Sequence, residues 1–153
     1  HMAFLGNTIE EIARVKSGII KPHAAVLSDA QPEEAATVLR AAAARMGVKI
    51  SFVEPDRIRD VSFGLREQSF SYKDHAHIRI RLAGTFQIRN AALALDAVDA
   101  LKEAGFAVSD EALREGFAGT IWPGRFEVVS TSAPLRRKSP SVAMRIVMMR
   151  SPA

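Results

Sequence analysis

The sequence predicts an α/β fold made of a parallel-sheet unit followed by a small antiparallel hairpin. Three observations carry this. An apolar run at 24–27, an alanine-rich helical pattern at 31–46 and a second apolar run at 48–53 give the strand–helix–strand order of a parallel unit. Residues 70–72 and 78–82 alternate apolar with polar side chains, the period-2 mark of a hairpin. Residues 85–104 then read as one long helix, opened by Gly84-Thr85 and ended by Gly105.

The remaining elements follow from local signals. Thr8 and Glu11 spell a capping box, Thr-x-x-Glu, so a helix is expected over about 8–17, with Ile9, Ile12 and Ala13 on one face and Gly18 beyond its end. Pro32 opens the helix at 31–46 and Gly47 closes it. Residues 54–66 read as irregular. Residues 91–98 are apolar except for Asp96, which predicts burial of the long helix on more than one side. Ser109 caps a further helix to about 117, with Asp110 and Glu111 placing negative charge where the helix dipole favours it. Residues 122–124, Trp-Pro-Gly, form a turn before a strand at 126–129.

The chain has 153 residues, the size of one domain, with 48% hydrophobic and 25% charged residues. It contains no cysteine, which excludes disulfides, thiolate metal sites and a cysteine nucleophile. No apolar run is long enough to span a bilayer and no secretory leader is visible, so a cytoplasmic protein without membrane contact is expected. The net charge is +4, but residues 135–153 hold five basic and no acidic residues. Removing those five from the 21 basic residues leaves 16 against 17 acidic ones, so the basicity belongs to the tail. That tail lacks the aromatics that stack on single-stranded bases, and no nucleic-acid partner is expected.

Few residues stand out as chemistry. Lys16 lies seven residues after Ile9 and four after Ile12, on the apolar face of its helix. It is either a lysine near a helix end with its stem over apolar surface, or a partly desolvated amine able to form a carbamate with carbon dioxide. His1 is a metal-ligand candidate or a remnant of a cloning tag. Asn90, one turn into the apolar helix, either bonds a neighbouring loop or orients a ligand. Arg125, behind the Pro-Gly turn, is either paired with an acid such as Glu127 or a fork for phosphate oxygens. His23, His75 and His77 lack metal-ligand spacing, and the sequence contains no G-x-x-x-x-G-K-[ST] phosphate loop.

Taken together the motifs carry a resemblance. His1 through Thr8 with Leu5-Gly6, then Ile12-Ala13 and Lys16-Ser17-Gly18-Ile19-Ile20-Lys21, resemble the segment H-x-x-x-L-G-x-T-x-x-x-I-A-x-x-K-A-G-I-I-K of the folylpolyglutamate synthase/dihydrofolate synthase family, a branch of the Mur ligases. Residues 82–91, LAGTFQIRNA, resemble its L-x-G-x-H-Q-x-x-N-A, and residues 122–127, WPGRFE, its W-P-G-R-x-E. Ser17 stands where the family has Ala, and Phe86 where it often has His.

The resemblance implies the second half of the family's central ATPase domain over residues 1–128. The N-terminal phosphate-loop half is lacking. Residues 129–153 are then either the start of a C-terminal domain or an aberrant, frameshifted tail. It implies a ligase that uses ATP and Mg2+ to join L-glutamate to a folate or dihydropteroate through an acyl phosphate, in a monomeric parent enzyme. By the same resemblance His1 is a magnesium ligand, Lys16 a catalytic carbamylated lysine, and Asn90 and Arg125 contacts to ATP. The isolated chain is expected to be inactive. Two competing readings are a muramyl-peptide ligase segment and a non-catalytic domain with a basic, nucleic-acid-binding tail.

Overall fold

The computed structural model describes residues 8–64 and 66–122. Helix α1 spans Ile9–Lys16 and opens on the expected capping box: Thr8 Oγ1 accepts from the Glu11 amide at 3.1 Å, and the Thr8 amide donates to the Glu11 carboxylate at 3.3 Å. A 3₁₀ turn, Ser17–Ile19, continues it. Strand β1, Val26–Ser28, pairs in parallel with β2, Ile50–Phe52, Val26 facing Ile50 and Ser28 facing Phe52. Helix α2, Glu33–Arg45, makes the crossover that parallel strands require. Its small side chains let α1 and the sheet come close, and Ala42 and Ala43 join Ile20, Val26, Val48 and Ile50 in one core.

The second sheet is larger than the sequence predicts. Residues 54–66 are not simply irregular, because Ile58–Ser62 forms β3 after a 3₁₀ turn at Pro55–Arg57. It pairs antiparallel with β4, Gln68–Tyr72, which pairs with β5, His75–Ile80. The expected hairpin is thus two strands of a three-stranded sheet. Strand β3 escapes detection because Asp60 sits at φ 53°, the register slips between Arg59 and Ser62, and four of its five residues are exposed. No apolar alternation survives that combination.

Helix α3, Phe86–Glu103, packs against both β1 and β4 and so joins the two sheets. Its buried residues are Gln87, Ile88, Ala91, Ala92, Leu95 and Asp96, two adjacent rows four residues apart. Beside these rows Leu93 and Val98 are partly buried against the main core, so within residues 91–98 only Ala94 is exposed. Helix α4, Asp110–Gly119, is capped by Ser109 and lies on β5, with Leu113 in the main core beside Phe70, Tyr72, Ile78, Ile80 and Leu95. Among the described residues no helix is long and apolar enough to cross a membrane. The turn beyond Trp122, the strand expected at 126–129 and the tail from 129 to 153 lie outside the described residues.

Candidate functional site

A cavity of about 640 Å³ opens between the end of β5, the first turns of α3 and the length of α4. Its walls are mostly apolar, from Ile80, Leu82 and Ala91 on one side to Leu113, Phe117 and Trp122 on the other. Two amides from the start of α3, Gln87 and Asn90, face one another in it. Gln87 is 2% exposed, and its Oε1 accepts from Asn90 Nδ2 at 3.0 Å. Gln87 Nε2 is the one buried side-chain polar atom left without a partner among the described residues. A buried donor without an acceptor costs about 1–3 kcal/mol, and this one belongs to a residue that lines the cavity. Apolar walls with one or two fixed polar groups suit a flat heteroaromatic base.

The sequence assigned the buried amide to Asn90, and here the structure differs. Asn90 is exposed at the rim, and the buried amide is Gln87, three residues earlier on the neighbouring row of the helix. Gln87 stands inside the same motif as Asn90, and nothing in the spacing distinguished the two until the helix phase was known.

Lys16 lies elsewhere. It ends α1 and lines a groove of about 490 Å³ with Ile9, Ile12, Ile20 and Leu39, beside Ser28 and Gln31 at the C-terminal end of β1. Parallel sheets bind ligands at that end of their strands. The lysine does share the apolar face, but it is exposed rather than desolvated: among the described residues α1 buries only Ala13, and the rest of its face borders an open groove. Arg89, next to Asn90, ties α3 to the segment that follows β1. Its Nε and Nη2 clasp the two carboxylate oxygens of Asp29 at 3.0 and 2.9 Å, and Nη2 reaches the carbonyl of Ala30 at 3.1 Å.

Behind the cavity, α3 is pinned to the hairpin by buried polar contacts. Asp96, 6% exposed, accepts from the Tyr72 hydroxyl at 3.0 Å and from Lys73 Nζ at 2.7 Å. Glu54 meets the same lysine at 3.3 Å, and its backbone amide donates to the Tyr72 hydroxyl at 3.2 Å. Burial pushes the Tyr72 phenol above its ordinary value. Burial pulls Lys73 down, but its hydrogen bonds to Asp96 and Tyr72 outweigh that and hold it above the usual lysine range. One turn further on, Asp99 meets His75 Nε2 at 3.0 Å.

His1 and Arg125, the expected metal ligand and second nucleotide contact, lie outside the described residues. The structure therefore brings Asn90 together with Gln87, and sets Lys16 in a separate groove.

No protein-family model matches the chain. A dihydrofolate synthase/folylpolyglutamate synthase of Bacillus subtilis is 38% identical over 144 residues, covering 88% of this chain and 33% of that protein. The chain matches one segment of the folylpolyglutamate synthase/dihydrofolate synthase family. Solved structures agree with the segment. A folylpolyglutamate synthase bound to AMPPCP and folate superimposes with a TM-score of 0.76 at 28% identity, over 85% of this chain and 33% of that one. The Mycobacterium tuberculosis folylpolyglutamate synthase complexed with ADP gives 0.65 at 27% identity, over 81% of this chain and 29% of that one. The chain spans about a third of the length of the synthases it matches. Its α/β architecture of one parallel and one antiparallel sheet is the synthase segment's fold.

Proposed function

We propose that this chain supplies the adenine-nucleotide pocket and a lysine-bearing groove of an ATP-dependent ligase that adds L-glutamate to a folate or dihydropteroate. The observation that carries the reading is the pair of amides, Gln87 and Asn90, at an otherwise apolar cavity, with the buried Gln87 Nε2 left without a partner. The Gln87 donor and the Asn90 carbonyl offer the donor–acceptor pair that an adenine edge complements. The names of the similar synthases and the nucleotide analogue in one of their structures support the same ligand class.

In this reading ATP supplies the phosphoryl group that activates the folate carboxylate, ADP leaves, and the glutamate amine then displaces phosphate. The chain's own residues bind and orient. Gln87 and Asn90 hold the base, Phe117 and Trp122 wall it from water, and Arg125 neutralises phosphate charge. Lys16, as a carbamate, presents an anion at the mouth of the β1 groove. Magnesium enters through the family resemblance alone. Its proposed ligand His1 lies outside the described residues, and among the described residues no cluster of three acids or histidines could hold a metal. No step is derived through it. The sequence carries no phosphate loop, so the chain by itself should bind the base without releasing ADP.

The test uses Trp122, the single tryptophan, which lines the cavity. ATP should change its fluorescence with a saturable dependence, Gln87→Leu should weaken that binding about tenfold, and GTP should bind less well than ATP. Equal binding of ATP and GTP by the native chain and by Gln87→Leu would overturn the assignment.

A further inference from the structure

We infer that Gln68, on β4 and outside the cavity, is the positioning residue that sets the base-binding amides. The inference rests on the nucleotide reading of the cavity, and it begins at the start of α3. Helices α1 and α4 open on side-chain caps, Thr8 and Ser109. Helix α3, like α2 behind Pro32, does not: Thr85 at its start has helical backbone angles and its side chain makes no capping bond. The turn before it is unusual as well, with Gly84 at φ 103°. An uncapped first turn frays readily, yet this first turn carries Gln87.

The missing restraint comes from the sheet. Gln68 is the first residue of β4, opposite Ile80 of β5, and is 2% exposed. Its Nε2 group has two protons and uses both, one on the carbonyl of Leu82 and one on the carbonyl of Gly84 at 3.1 Å. Leu82 lines the cavity. The Gly84 carbonyl also accepts from the backbone amide of Gln87 at 3.0 Å. One buried amide therefore fixes a wall residue and, through one shared oxygen, the cavity residue whose Nε2 donor is unpartnered. Its own side chain touches no ligand position, so its effect is on geometry.

Hydrogen exchange and side-chain NMR on the whole chain test this without any ligand. In the native chain both Gln68 Nε2 protons should be protected, and exchange of either at the rate of a free amide would overturn the inference. Gln68→Leu should raise exchange of the Gln87 amide at least tenfold relative to the Leu95 amide deeper in the same helix, and should broaden the side-chain amides of Gln87 and Asn90. An unchanged Gln87-to-Leu95 ratio would equally overturn it. Gln68→Glu supplies the signature that simple loss of packing would not. The carboxylate has no proton for either carbonyl, whereas the protonated acid has one, so the ratio should fall back part-way as pH is lowered. A ratio as insensitive to pH as that of Gln68→Leu would count against positioning. ATP binding is then read in parallel: a roughly tenfold loss in Gln68→Leu links the turn to the nucleotide site. If the native chain bound no ATP, the cavity assignment would fall, and the exchange ratios would still decide the role of Gln68.

Discussion

Replacing Asp96 by alanine should cost about 3 kcal/mol of stability. The figure comes from the contacts it removes. Asp96 is 6% exposed and accepts two hydrogen bonds, from the Lys73 ammonium at 2.7 Å and from the Tyr72 hydroxyl at 3.0 Å. Both bonds end on the Asp96 carboxylate, and a hydrogen bond to a charged group is worth about 1.5–3 kcal/mol, so two at the low end give the figure. The lysine is 27% exposed and keeps Glu54 at 3.3 Å, so the lower half of the charged range applies to it. The tyrosine, fully buried, loses its acceptor outright. Asp96→Asn retains one acceptor and should lose about 1–2 kcal/mol. In a chain of this size each kcal/mol moves the melting midpoint by roughly 2–4 °C, so Asp96→Ala should melt about 6–12 °C below the native chain. Urea titration followed by circular dichroism measures both variants. A double-mutant cycle with Lys73→Met should give a coupling of about 1–3 kcal/mol. A loss below about 1 kcal/mol for Asp96→Ala, with no coupling to Lys73, would refute the claim that this cluster pins α3 to the hairpin.

Three further outcomes are expected. Gly84→Ala should destabilise by about 1–3 kcal/mol, since a side chain at φ 103° is strained and its Cβ would meet the Phe86 ring at 2.7 Å; adding Phe86→Ala should recover only part of the loss, because the backbone strain stays, and full recovery would disprove that division. Stability should fall at alkaline pH, because Tyr72 and Lys73 both have folded values raised above their ordinary 10.0 and 10.5, so the folded chain holds protons that the unfolded chain releases. The contribution is complete below about pH 10 and is lost as pH rises above it, and Tyr72→Phe should flatten that slope in pH-dependent urea melts. In the complete parent enzyme Lys16→Arg should lose activity despite keeping the charge and Lys16→Ala should be partly rescued by a small added carboxylate; near-normal turnover of Lys16→Arg would end the carbamate proposal.

The parallel unit was legible because each boundary carried its own chemistry: the Thr8–Glu11 box, Pro32 and Gly47 all mark ends that a local rule can read. Strand β3 was not legible, since Asp60 in a left-handed conformation and an exposed flank erase the period on which strand detection depends. The site was half legible. The motif around Asn90 pointed to the right turn of the right helix, but which amide is buried depends on the angle at which α3 meets β4, a tertiary quantity. Lys16 shows the same limit from the other side. Its face follows from spacing, while its exposure depends on what packs over α1. Gln68 left no signal, because a glutamine at the first position of a strand looks like a solvent residue until its two carbonyl partners are in place.

The pinning of α3 at Asp96 has a mechanical consequence. Gln87 stands nine residues before that anchor, roughly 13 Å along the axis at 1.5 Å per residue. Pivoting the helix by only about 5° around Asp96 would sweep the Gln87 amide through about 1 Å, a misplacement that can cost an active site about a hundredfold in rate. The hairpin that grips Asp96 and Asp99 through Tyr72, Lys73 and His75 is in this sense the fulcrum of a lever whose free arm ends at the cavity. Substitutions at Tyr72, Lys73 and His75, which do not line the cavity, should therefore be felt at the site as changes of angle, and the residues that keep the fulcrum still matter as much to recognition as those that line the wall.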